Sequence, residues 1–290
     1  MRSLRNAAII GLALLGTASV SRAADIIYQE NFDGAGGVLT GQSPDVESGL
    51  DGGSATATWG GDSVASANPD AVWTTSGGTY TGPGSTDATI GLFGTGADSN
   101  LITNEYLPFT PQVGYIYDLE LSIAASGVGA SGNWIGLAFA TAGLNTHTTG
   151  GGSSALSNDN TYGLILDKGS GQVQSFGGVG TGNAKISTAA GFLTQGTTTP
   201  LYDTFDVLLN TSGSQWVVSW LVNGSATGLG TNSYTYTTNP SIGDVIFGTN
   251  KLTGAVDPFI LSATAVPEPA SMLGLATMCG GILLRRRKRS

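Results

Sequence analysis

The stretch Tyr115-Ile116-Tyr117-Asp118-Leu119-Glu120-Leu121-Ser122-Ile123 constrains the fold more than any other. Tyr115, Tyr117, Leu119, Leu121 and Ile123 fall on one side of an extended chain, and Asp118, Glu120 and Ser122 on the other. A period of two cannot make a helical stripe. It predicts an antiparallel strand with one dry and one wet face. The pattern recurs: Ile135, Leu137 and Phe139 share a face within 134–140. Phe205, Val207 and Leu209 alternate with Asp206 and Leu208, and after Asn210-Thr211-Ser212-Gly213 the residues Trp216, Val218, Trp220 and Val222 share one face.

Turn chemistry separates these runs. Asn223-Gly224 is a tight-turn dipeptide. Tyr162-Gly163-Leu164-Ile165-Leu166 and Gln172-Val173-Gln174-Ser175-Phe176 flank Asp167-Lys168-Gly169-Ser170-Gly171, which predicts another hairpin. Further short strands are expected at 26–32, 71–75, 79–81, 89–93, 101–106, 234–236, 245–247 and 259–265. Residues 34–61 and 141–160 read as loop. No part of 24–266 carries a sustained 3.6-residue stripe. The expected fold is therefore all-β, an antiparallel sandwich or jelly roll.

Glycine supplies 46 of 290 residues, but hydrophobic content is 40% and the aromatics fall in periodic runs, unlike a disordered chain. Of 11 Lys and Arg, only Lys168, Lys185 and Lys251 lie within 24–266, against 19 of the 20 acids, a net charge of −16 for that stretch. Nucleic-acid binding needs a basic footprint and is excluded as a class. Anionic polymers would need a bridging cation. The one cysteine, Cys279, permits no intramolecular disulfide, so packing must hold the core.

The two ends are of another kind. Arg2 and Arg5 precede an apolar stretch, 7–20, and Ser21-Arg22-Ala23 offers small residues for cleavage after Ala23. This is the pattern of a secretory signal peptide, the alternative being an uncleaved anchor. At the other end Pro267-Glu268-Pro269 leads into the uncharged block 270–284 and then Arg285-Arg286-Arg287-Lys288-Arg289. As a helix that block rises about 22 Å, short of a bilayer core of about 30 Å. Terminal basic residues can snorkel to the headgroups and hold that end on the cytoplasmic side. The expected organisation is a signal helix at 1–23, a β-sandwich at 24–266 and a single hydrophobic tail helix at 267–290.

Pro267, Glu268 and Pro269, the apolar block and the basic end with Arg285, Arg286 and Arg287 together resemble the PEP-CTERM sorting tail of exported bacterial proteins. The resemblance implies a transient membrane anchor and an exosortase-type processing partner. Cutting near Pro267–Pro269 would then deliver the body to the cell surface or matrix, by analogy with other removable hydrophobic tails. The alternative is a C-terminal anchor that is never processed. Within the body, 205–216, 220–224 and Glu30-Asn31-Phe32-Asp33-Gly34 resemble concanavalin A-like/laminin G-like lectin domains. That resemblance implies a lectin-like sandwich and carries no ligand residue.

Reactive chemistry is sparse. His147 is the sole histidine and lies in a polar loop, with no Gly-x-Ser-x-Gly elbow to partner it and too few ligands for zinc. Asp118 and Glu120 are neighbours on one strand face, as a glycosidase pair requires, although a solvated outer face explains them equally. Calcium wants many oxygens. Asn158-Asp159-Asn160 is the compact candidate, and turn chemistry accounts for the same residues. Trp59, Trp73 and Tyr80 sit beside Gly-rich loops and are the candidate glycan contacts, whereas Trp134, Trp216 and Trp220 are expected in the core. The expectation is a non-enzymatic exported surface or matrix protein, structural or adhesive and associated with extracellular polysaccharide, with no catalytic residue and no cofactor. The alternatives are a carbohydrate-binding module and a glycoside hydrolase.

Overall fold

The computed structural model describes residues 23–31, 37–38, 41, 43–61, 74–75, 91–92, 102–126, 134–142, 160–168, 170–180, 185–190, 203–226, 230–250 and 253–267. Within them the regular structure is entirely β. One sheet contains β1 (Asp25–Glu30), β3 (Val46–Glu47), β8 (Tyr115–Ser126), β13 (Asp203–Asn210), β14 (Val217–Val222), β15 (Ser233–Thr235) and β17 (Thr253–Ala265), in the order β15-β14-β13-β8-β17-β1-β3. The second contains β4 (Gly60–Gly61), β7 (Ile102–Pro108), β9 (Trp134–Ala140), β10 (Thr161–Lys168), β11 (Gln172–Gly178), β12 (Lys185–Ala190) and β16 (Asp244–Asn250), in the order β12-β11-β10-β9-β16-β7-β4. A small third sheet orders β2 (Gly37–Val38), β5 (Thr74–Thr75) and β6 (Gly91–Leu92) as β2-β5-β6.

The two large sheets form an antiparallel sandwich. The alternating runs of the sequence explain how. Tyr117, Leu119, Leu121 and Ile123 of β8 are buried, as are Phe205, Val207 and Leu209 of β13 and Val218, Trp220 and Val222 of β14. They share one core with Ile135, Leu137 and Phe139 of β9 and Val245 and Phe247 of β16. The hairpins form where turn chemistry places them. β10 meets β11 through Gly171, whose N–H donates to Lys168 O at 2.8 Å. β13 pairs with β14, and the Asn223-Gly224 turn beyond β14 carries positive φ at both residues.

The structure departs from the sequence expectation in three places. β12 lies at the edge of the second sheet, where no strand is expected from the sequence. The segment 34–61 is only partly loop: it contributes β2, β3 and β4 and buries Ala57 and Trp59. Two tyrosines hold it down. Tyr28 accepts from Ser54 N (2.7 Å) and donates to Pro108 O (2.6 Å), while Tyr117 accepts from Gln112 N (2.7 Å) and donates to Asp51 O (2.9 Å). The third departure is in β10. Tyr162 pairs with Phe139, but Ile165 pairs with Leu137, so the register slips across Gly163 and Leu164. Gly163 has φ +69°, a conformation open to glycine. The bulge turns Tyr162, Ile165 and Asp167 inward and leaves Leu164 and Leu166 outside, in a second apolar cluster with Ala138, Phe176 and Ile246.

Residues 1–22, expected as a signal segment, and residues 268–290, expected as a sorting tail with Glu268, Pro269, Arg285, Arg286 and Arg287, lie outside the described residues. Ala23 and Pro267 flank the sandwich as exposed, irregular chain. Among the described residues no helix is long and apolar enough to cross a membrane.

Candidate functional site

At one edge the two sheets part to form a half-open cleft of about 330 Å³. Its walls come from β10 and the end of β11 on one side, and from β15 and the chain after it on the other. Tyr162, Tyr234 and Tyr236 line it with Val179, Gly180, Thr237, Thr238, Asn239, Pro240 and Ser241. Each tyrosine is there for a structural reason. Tyr162 faces inward because of the bulge at Gly163. Tyr234 and Tyr236 are two apart on an extended chain and so share a face. The backbone ties of Val218 to Tyr234 and of Trp216 O to Tyr236 N (2.9 Å) make that face the inner one.

The three rings pack edge to face. Tyr236 lies 5.8 Å from Tyr162 at 79° and 5.1 Å from Tyr234 at 76°. Tyr236 is buried and donates to Gly177 O at 2.7 Å, and burial pushes its phenol up, so it remains protonated. Tyr234 is only half-buried and presents its ring at the mouth. The floor is rigid because Asn239 accepts from Trp216 N (3.0 Å) and donates to Ser214 O (3.3 Å). Among the described residues no carboxylate, ammonium or guanidinium lines the cleft. It can hold a neutral ligand with an apolar face and hydroxyls at its rim, and it offers a charged ligand no counter-charge.

Trp59, expected as an exposed glycan contact, is instead in the core at 1% exposure. Its indole packs edge-on against Phe247 (5.4 Å) and Phe259 (5.1 Å), one from each sheet, and donates to Glu30 Oε2 at 3.2 Å. A side chain so enclosed cannot stack on a sugar. Trp73 and Tyr80, the other two expected contacts, lie outside the described residues, as do His147, Asn158 and Asp159. Asn160 is described, and its carbonyl accepts from Thr141 N at 3.0 Å. Trp216 and Trp220 are buried as expected; Trp134 is half-buried against the outer apolar cluster.

The outer face of the first sheet carries a carboxyl ladder. Asp118 and Glu120 of β8 lie beside Asp206 of β13, with Glu120 directly opposite Asp206. The face is drier than a solvated one. Asp206 is 6% exposed, and Asp118 Oδ1 is buried without a partner. Burial, with help from Glu120, pushes Asp118 up to about 6. Burial, Asp118 and Glu120 push Asp206 up to about 7, against a backbone hydrogen bond from Gly224. Burial raises Glu120 as well. Among the described residues no group of three His, Cys, Asp or Glu side chains gathers to hold a metal.

No known protein family matches the sequence, and no curated protein matches it. Similar solved structures exist. The carbohydrate recognition domain of Emp47p is 8% identical over 87% of this chain and 100% of that one, with a TM-score of 0.44. An endo-1,3-β-glucanase from Streptomyces sioyaensis is 14% identical over 84% and 97%, with a TM-score of 0.46. The metal-free exoplasmic/lumenal domain of VIP36 is 9% identical over 85% and 95%, with a TM-score of 0.44. Each likeness is one of overall architecture.

Sequence reasoning missed the cleft. Tyr234-Thr235-Tyr236 followed by Thr237-Thr238-Asn239-Pro240 does carry a signal, an aromatic pair on one face running into a polar turn. Nothing local brings Tyr162 to it.

Proposed function

We propose that this chain is an exported, non-enzymatic carbohydrate-binding protein whose sandwich takes one or two neutral sugar rings in the tyrosine cleft. The observation that carries this is the lining: three tyrosine rings with threonine and serine hydroxyls and, among the described residues, no ionic group. A tyrosine offers an apolar ring to the C–H face of a sugar and a hydroxyl to its edge. The cleft is small by the standard of ligand sites, roughly 300–1,000 Å³, which suits the end or a short segment of a glycan. Export rests on the two hydrophobic ends. Surface or matrix delivery through cleavage near Pro267 is tested by intact-mass measurement on protein recovered from membrane and medium.

The binding test is isothermal titration with neutral oligosaccharides against the wild type and Tyr234→Ala. The substitution is expected to weaken binding at least tenfold and to leave the unfolding midpoint within about 2 °C, because Tyr234 is half-buried on a three-residue edge strand. Equal affinity in the variant, or no binding by the wild type, removes the reading.

A second reading, glycoside hydrolysis at Asp118, Glu120 and Asp206, is favoured by carboxyls that titrate near neutrality, where an acid and a base must be poised. Release of reducing ends that Glu120→Gln abolishes would support it. Hydrolysis undiminished in Glu120→Gln and Asp118→Asn would dismiss it.

A further inference from the structure

The sandwich interior holds a carboxyl group whose oxygens have no hydrogen-bond partner. Asp167 is 0% exposed, and neither of its oxygens has a hydrogen-bond partner. It faces inward because it pairs with Ile135 and Val173 on the inner side of the bulge-shifted strand. Ser175 pairs with Ile165, two positions back along β10, so it shares that inner face. Ser175 is also 0% exposed, and its Oγ is unpartnered. From the other sheet Asp203 lies on the inner side of β13, in step with Phe205 and Val207, and near enough for its charge to act on Asp167. One Asp203 oxygen, Oδ1, accepts from Asn223 Nδ2 at 2.7 Å. Lys168, next to Asp167, falls on the opposite face of β10.

A buried carboxylate without a partner is costly to keep charged. Sequences rarely leave such an acid and an idle hydroxyl on one apolar inner face, here with a second, half-buried acid at the rim. We propose that Asp167, Ser175 and Asp203 form a binding site for a hard divalent cation, Ca²⁺ in the first instance, that clamps the two sheets at the end of the sandwich away from the tyrosine cleft. Two carboxylates balance the charge of one divalent ion. Carboxylate and hydroxyl oxygens are ligands of the right hardness, with water completing the shell. Asp167 and Tyr162 stand at opposite ends of β10, opposite Ile135 and Phe139 of β9, and so about 14 Å apart along the sheet. The site is thus separate from the cleft.

The full chain, stripped with EDTA, is titrated with CaCl₂ calorimetrically, with the unfolding midpoint followed in parallel. The expected result is one site and a raised midpoint. Asp167→Asn and Asp203→Asn are each expected to weaken binding at least tenfold and to abolish the rise in midpoint. Asp203 is half-buried at the rim, so Asp203→Asn carries the test if Asp167→Asn fails to fold. No heat and no stabilisation at millimolar CaCl₂, or wild-type affinity in the Asp203→Asn protein, would overturn the proposal.

Discussion

Trp59 illustrates how much one side chain can join. Its indole touches Phe247 in one sheet and Phe259 in the other, and its N–H reaches Glu30. Truncation would open a cavity where three rings meet and remove a buried donor. Trp59→Ala is therefore expected to lower unfolding free energy by about 3–5 kcal/mol in a urea titration. Affinity per folded molecule for a glycan in the tyrosine cleft should not change. A loss of affinity without a loss of stability would restore Trp59 as a contact. The sequence places this tryptophan among glycines, which reads as a surface loop. What buries it is a set of partners contributed by remote strands, and no local window contains them.

At the scale of elements, the legible parts were those in which large apolar residues alternate with polar or small ones. β8 and β13 declare their inner faces because a wrong parity would put Asp118, Glu120 or Asp206 into the core, and β9 and β14 because it would turn Leu137, Phe139 or Trp220 out of it. β10 declares nothing. Leu164, Ile165 and Leu166 are apolar on both faces, so the position of the bulge cannot be read, nor can the inward turn of Tyr162 and Asp167 that depends on it. β12 has one large apolar residue, Ile186, and an edge position, which leaves little pattern. The bulge itself is testable. A Cβ on Gly163 would run into Val218 Cγ2 and lie 2.9 Å from Val207 Cγ1, on a backbone at φ +69°. Gly163→Ala should cost about 2–4 kcal/mol, combining left-handed strain with overpacking. Gly114, at φ +96° with open space around its Cβ position, is the control. Gly114→Ala should cost about 1–2 kcal/mol, from strain alone. Equal losses in the two variants would mean that β10 does not press against the opposite sheet at the bulge.

For the whole molecule, the buried carboxyls set the direction of its pH response. Asp118, Asp206 and Asp167 ionise near 6, 7 and 8 in the folded chain. Unfolded, an aspartate ionises near 3.9. Between those limits the folded chain binds more protons than the unfolded one, so raising the pH favours unfolding. The contribution is fully present below about pH 4 and is lost as the pH rises through 6 to 8. Asp118 is partly open to solvent and is discounted accordingly. The sum is still enough that the unfolding midpoint should be roughly 5 °C or more higher at pH 5 than at pH 8.5. The groups facing each acid divide the response. Asp206→Asn relieves repulsion from Asp118 and Glu120 and should flatten the profile between pH 6 and 8. The Asp167 share faces Asp203 across the interior, so millimolar CaCl₂ at pH 8.5 should recover that share and leave the Asp206 share untouched. A midpoint that rises with pH, or CaCl₂ acting equally on both shares, would show that the interior and outer-face acids are not separate systems.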